Sequence, residues 1–230
     1  MRKLISGILF VTLAILILHL NRGTEKIGTI SLHVGKPYAD ILRDSTFPVK
    51  SKTVIRQTEP PVEDSTWITS PVIVKFDDPQ HSFILPPTKL LAVGYSEGKV
   101  TTFTTSPMLE TLPFDQLIPL LDHIQQMLKK SGWIPRDDHE NYTWIKTGSE
   151  ADRIALQSLL FNKAVTATLL VPRKYSMSLI VKCYARCNEH DPNTAKYLID
   201  VSVGMDLRNI KMTAPDNALT NKYQPIGFFK

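Results

Sequence analysis

The chain has 230 residues, 43% of them hydrophobic and 21% charged, with 16 Pro and 2 Cys. That composition excludes a disordered chain, a disulfide-dense scaffold and any four-thiolate metal site, and the length suits one globular domain or two small ones. Of the formal net charge of +5, Arg2, Lys3 and Arg22 supply three, which leaves 24 basic against 22 acidic residues over 23–230, scattered without a clustered basic face, so nucleic acid is not expected as a partner.

Leu4–Leu20 is 17 residues without Asp, Glu, Lys or Arg, and twelve of them are Leu, Ile, Val or Phe. At roughly −0.3 to −0.6 kcal/mol each, those side chains favour membrane insertion by about 4–7 kcal/mol. As a helix the stretch would be about 26 Å long, at the short end for a ~30 Å hydrocarbon core. A cleaved signal peptide is the rival, but His19-Leu20-Asn21-Arg22-Gly23 lacks the small-residue cleavage pattern. The expectation is therefore a single-pass anchor over residues 1–22. Arg2 and Lys3 before the span place the N-terminus in the cytoplasm and residues 23–230 outside, in the periplasm of a bacterial envelope.

Thr29–Val34 alternates and is β-branched, which predicts a strand. Gly35-Lys36-Pro37 opens a short helix with Tyr38, Ile41 and Leu42 on one face, since proline suits a first helical position. Thr53–Gln57, Pro71–Phe76 and His81–Leu85 read as strands, separated by the Glu59–Asp64 loop and the Asp77-Asp78-Pro79 turn. Leu90–Tyr95 and Val100–Thr105, joined by Ser96-Glu97-Gly98-Lys99, predict a β-hairpin. From Asp115 to Ser131, Leu117, Leu120, Leu121, Ile124, Met127 and Leu128 form one apolar stripe, ended by Lys129, Lys130 and Gly132. Pro119 must lie early in that helix or kink it. Ser149 and Asp152 resemble a capping box at the start of a second helix, with Ile154, Ala155, Leu159 and Phe161 expected to face inward. Strands follow near Ala164–Val171, Met177–Ala185 and Lys196–Met205, and Ile226, Phe228 and Phe229 in the tail could dock on the body.

Hairpins and meanders outnumber βαβ alternation, so the expected class is α+β: an N-terminal transmembrane helix, then antiparallel sheet packed with two main helices. Residues 23–230 are expected to form one domain, with a subdivision near Gly148 as the alternative.

Three patterns invite a chemical reading. Gly94-Tyr95-Ser96-Glu97-Gly98 matches G-x-S-x-G, with Ser96 as nucleophile and His139, His190 or Asp191 as partners. That motif needs a strand-to-helix turn, whereas a β-prone run follows here, so the hairpin tip is the better reading. Cys183, Cys187, His190 and Asp191 could offer metal ligands, but they are bunched without a second knuckle, and a disulfide fits better. In a straight strand the two Cα atoms would be about 13 Å apart, so the chain must turn between them. Asp137, Asp138, His139 and Glu140 could work as acid and base, but read first as a solvated loop. Trp144 beside that loop makes it a candidate partner-binding site, while Trp133 after the helix is expected in the core. Asn141-Tyr142-Thr143 fits a glycosylation acceptor, and His33, His81 and His123 are isolated in sequence and read as structural. No catalytic set, cofactor or metal is expected.

The Leu90–Thr105 hairpin, followed by Leu112-Pro113-Phe114-Asp115-Gln116-Leu117 and then Leu121, Ile124, Leu128 and Gly132-Trp133, carries a resemblance. These residues, between 90 and 134, resemble a pattern in small single-anchor bacterial envelope proteins, among them the immunity proteins of type VI secretion effectors. The resemblance implies a periplasmic protein-binding module that inhibits a toxin effector, and it brings no catalytic residue. A non-catalytic envelope assembly or structural factor and a serine hydrolase using Ser96 are the alternatives.

Overall fold

The computed structural model describes residues 27–54, 64–136 and 143–209. Their elements, in chain order, begin with β1 (Gly28–Leu32), α1 (Tyr38–Asp44), β2 (Thr53–Val54), β3 (Asp64–Ile68), β4 (Val72–Phe76) and β5 (Phe83–Ile84). Next come β6 (Leu91–Ser96), β7 (Lys99–Thr105), α2 (Phe114–Lys130) and β8 (Ile134–Pro135). The last are α3 (Glu150–Leu160), β9 (Val165–Val171), β10 (Tyr175–Ala185) and β11 (Lys196–Met205).

These strands form two sheets. The larger has eight, in the order β2-β3-β6-β7-β11-β10-β9-β8, with every neighbouring pair antiparallel. Its side chains alternate cleanly. The cross-strand row Ile68, Leu91, Thr105, Val201, Leu179 and Ala167 is fully buried. The next row, Trp67, Ala92, Thr104, Ser202, Ser178 and Thr168, faces outward. A period of two with one face apolar pins the register, because a slip of one residue would turn every core side chain to water.

The smaller sheet has the order β1-β4-β5. Its β1–β4 pair is parallel, from Gly28↔Val72 to Leu32↔Phe76. Phe76 joins the layers: it stacks on Phe83 at 4.9 Å between centroids and meets Phe103, Trp133 and Tyr175 at 6.1, 5.9 and 5.1 Å. The free edge of β1 is closed by the segment after α1. Thr29 accepts from the backbone N–H groups of Thr46 and Phe47, and the Ser45 hydroxyl accepts from the Ser31 N–H. Covering an edge in this way removes a template for unwanted strand pairing.

α2 packs across β11 and α3 across β9 and β10. α2 buries Leu117, Leu121, Ile124 and Leu128, with Pro119 inside its second turn. One hydrophobic core includes residues on both sides of Gly148.

The structure corrects the expected fold class. The sheets are not all antiparallel, because β1 and β4 run parallel. Beside the two main helices, α2 and α3, stands the short α1 that Gly35-Lys36-Pro37 opens. Among the described residues no helix is long and apolar enough to cross a membrane, and Leu4–Leu20 lies outside the described residues. One orientation is also reversed: Leu156 and Leu160 of α3 are buried, whereas Ile154 is 62% and Leu159 44% exposed and Ala155 faces solvent. Two apolar stripes lie on nearly opposite sides of that helix, and only packing decides which is inward.

Candidate functional site

Ionisable groups converge at the C-terminal end of β4. Successive residues there point to opposite sides, so Asp77 and Asp78 reach different neighbours. Asp77 accepts from the Ser31 hydroxyl at 2.8 Å, from His33 Nδ1 at 2.7 Å and from Lys36 Nζ. Lys36, itself buried, also pairs with Asp44 at the end of α1 at 2.9 Å. Asp78 accepts from Lys174 Nζ at 2.6 Å and from the Tyr175 hydroxyl at 2.9 Å, both at the start of β10. Its other oxygen accepts the backbone N–H groups of Gln80 and His81 at 3.0 Å each. A third buried acid continues the line. Asp206 accepts from the Arg173 N–H at 2.9 Å and from Arg208 Nε at 2.9 Å, while its own N–H donates to the Lys174 carbonyl.

Burial alone would raise both β4 carboxyls, but their hydrogen bonds outweigh it. His33, Lys36 and Ser31 hold Asp77 well below the usual carboxylate range, and Lys174, Tyr175 and two N–H groups bring Asp78 down to about 2. Tyr175 moves the other way: burial, its bond to Asp78 and the nearby negative charge push it well above the ordinary phenol value. Lys36 is raised because its bonds to Asp77 and Asp44 outweigh its desolvation. Hydrogen bonds from Arg208 lower Asp206 to about 2.

This arrangement fixes charges in place. In a hydrolytic triad the imidazole stands between hydroxyl and carboxylate. Here the carboxylate of Asp77 stands between Ser31 and His33, so the hydroxyl donates to the acid rather than to a base. Lys36 and Tyr175 are shifted away from the neutral range in which a proton-transfer group works best. What the cluster does is tie β1, α1, β4 and β10 together.

The residues singled out from the sequence are dispersed. Ser96 pairs with Lys99 across a two-residue turn in which Glu97 and Gly98 both have positive φ, 51° and 70°. Those values suit the tight turn of a hairpin, not a strand-to-helix elbow. Cys183 and Cys187 are joined by a disulfide with Cα atoms 5.9 Å apart. The turn that brings them together consists of an irregularity in the β10–β11 register between Cys183 and Ala185, and Arg186 with φ at 60°. His190, just beyond, stacks on Phe161 with ring centroids 5.3 Å apart. Among the described residues no group of three His, Cys, Asp or Glu is placed to hold a metal.

Asp137, Asp138, His139 and Glu140 lie outside the described residues, as does the Asn141 acceptor. Trp144 is half-buried, with Lys129 Nζ 4.8 Å above its ring. Its position is set by buried Gln125, whose amide donates to the Ile145 carbonyl at 3.1 Å and accepts the Ile145 N–H at 2.9 Å. Trp133 is in the core at 1% exposure. His33 bonds to Asp77, and His81 Nδ1 lies 3.0 Å from the Ser131 carbonyl oxygen. Sequence reasoning missed the Asp77–Asp78 cluster. The available signal was an adjacent pair of acids directly after a buried alternating strand, which reads equally well as a turn.

No protein-family model matches the chain, and neither a curated protein nor a solved structure matches it.

Proposed function

We propose that this protein is a non-catalytic protein-binding module acting outside the cytoplasm, an inhibitor of the immunity type that neutralises a secreted effector. The observation that carries the reading is the saturation of the buried charges: Asp77, Asp78 and Asp206 are each engaged by cations or N–H donors of the same chain. Held as ions by donors of their own chain, these carboxylates serve to join the elements of the fold. The Cys183–Cys187 disulfide supports an oxidising compartment, in keeping with a periplasmic location. The resemblance of residues 90–134 to envelope immunity proteins points the same way.

The contact region we assign is Trp144 together with the acidic segment Asp137–Glu140. A half-buried indole held over a backbone clasp is a rigid anchor, and such anchors dominate interface energetics. The test is co-purification of the full chain with the product of the neighbouring gene, followed by a toxicity-protection assay. Protection that survives Ser96→Ala and is lost in Trp144→Ala, in a variant that still unfolds in one cooperative transition, is the expected result. Protection lost in Ser96→Ala would move the reading to the hydrolase. Absence of any partner, with an envelope defect on gene deletion, would move it to an assembly factor. Active alkaline phosphatase fused after Lys230 checks the compartment.

A further inference from the structure

We propose that the Cys183–Cys187 disulfide is a redox latch: a dithiol reduces it in the folded protein, and the 186–190 turn then leaves the end of α3. The bond joins the edge of the core to the surface. Cys183 lies in β10 and packs against the hydrophobic core, whereas Cys187 is the first residue of a short 3₁₀ turn whose other members, Asn188 and Glu189, are exposed. Arg186 and His190, on either side of that turn, both have left-handed backbone, with φ at 60° and 51°. Histidine accepts that conformation more readily than most residues, but it is uncommon for a long side chain such as arginine. The other bonds of the turn are weak ones. The Glu189 N–H donates to the Arg186 carbonyl at 3.3 Å and the His190 N–H to the Cys187 carbonyl at 3.2 Å, at or beyond the long end of the usual range. Arg186 pairs with Glu189 at 3.5 Å, and the Thr194 hydroxyl donates to Glu189 at 3.1 Å, all on exposed side chains where such contacts add little. The bridge is therefore what keeps this turn in its conformation.

What the latch holds is the contact between His190 and Phe161. Their rings stack with centroids 5.3 Å apart, and Phe161, the C-cap of α3, also lies 6.5 Å from the Tyr197 ring of β11. With the bridge closed, the turn covers one face of a half-buried phenyl ring. With the bridge open, that face meets water. Reduction proceeds by thiol–disulfide exchange, with a dithiol, such as a C-x-x-C pair, as the reductant. One thiolate of the dithiol attacks the Cys187 sulfur, which is in the surface turn, and forms a mixed disulfide with it. The Cys183–Cys187 bond breaks, and the Cys183 sulfur leaves as a thiolate and takes up a proton. The second thiolate of the reductant then attacks the reductant's own sulfur in the mixed disulfide, closing a new disulfide there and releasing the Cys187 thiolate, which is protonated in turn. The dithiol loses two electrons and the cysteine pair gains them. Reduced Cys183 stays at the edge of the core as a small apolar side chain, so the strand around it has no reason to move.

The test treats the full chain with dithiothreitol in the absence of denaturant. The expected result is the release of both thiols, which can come only from the bridge, since the chain has 2 Cys. Amide hydrogen exchange at Glu189 and His190 should then rise by about tenfold or more, while exchange over residues 175–181 of β10 stays as it was. The ring protons of His190, shifted in the oxidised chain by the Phe161 ring current, should move to the resonance positions of a free histidine, and reoxidation should bring them back. The chain carrying Cys183→Ser and Cys187→Ser should show the open turn without any reductant. A bond that yields only once the chain is unfolded overturns the proposal. So does a reduced chain, or the double variant, in which His190 remains stacked on Phe161. Faster exchange throughout β10 overturns it as well, because the bridge would then support the sheet rather than latch one turn. Every readout is made on the chain by itself, so failure of the inhibitor reading leaves the latch intact.

Discussion

Asp78 shows how one side chain can hold two layers together. It is nearly inaccessible, yet it satisfies Lys174, Tyr175 and two backbone N–H groups across 96 or 97 residues of sequence on the β10 side. Replacing it by Ala leaves a buried phenol and two N–H donors without a partner. Lys174 is partly exposed and regains water, so the expected cost is about 2–4 kcal/mol, the lower part of the range for a broken buried pair. Chemical denaturation of Asp78→Ala measures it. The pH dependence follows from the direction of the shift. A carboxyl with pKa about 2 in the fold and about 3.9 unfolded contributes stability that is complete above the unfolded value and is lost as pH falls through the folded one. Asp77, shifted the same way, steepens the loss. The melting temperature should therefore drop between about pH 4 and pH 2, and Asp78→Asn should show a shallower drop over that window.

At the scale of the element, α2 and α3 make opposite predictions from similar sequences. In α2 Leu117, Leu121, Ile124 and Leu128 are fully buried, so Leu121→Asp places an unpaired charge in the core and should destabilise by several kcal/mol. In α3 the effect depends on which leucine is changed. Leu156→Ala should cost about 2–5 kcal/mol and Leu159→Ala less than about 0.5, a contrast that a pair of urea titrations resolves. The start of α3 is set locally. The Ser149 hydroxyl accepts the Asp152 N–H at 3.1 Å and the Asp152 carboxylate accepts the Ser149 N–H at 3.2 Å, a complete capping box. Ser149→Ala should cost about 1 kcal/mol, read from the same titrations.

For the whole molecule, connectivity matters more than any single contact. β11, the last of the described strands, lies between β7 and β10, so the large sheet is continuous only when residues from 99 to 205 are in place. The Cys183–Cys187 bridge encloses a very short loop at one end of that sheet. Its chain-entropy contribution is about 2 kcal/mol, and reduction with a dithiol should lower unfolding free energy by about that amount without unfolding the chain. A reduced protein that fails to fold would show that the bridge organises the β10–β11 connection rather than merely securing it.

Local chemistry was legible in the residues alone. Glu97-Gly98 specified the hairpin because few residue pairs accept two successive positive φ angles. The α2 stripe specified a helix and its inward face because only one side is apolar, and Ser149-x-x-Asp152 specified a helix start. What only the tertiary structure decided concerns partners distant in the chain. The parallel β1–β4 pairing, the insertion of β11 beside β7, and the union of Ser31, His33 and Lys36 with Asp77 have no local signature, because each joins residues more than 40 positions apart. α3 was undecidable for a different reason. Its apolar residues fall on two sides, so periodicity alone admits either inward face. The fold chose Leu156 and Leu160, because those side chains meet β9 and β10, and left Ile154 and Leu159 to solvent.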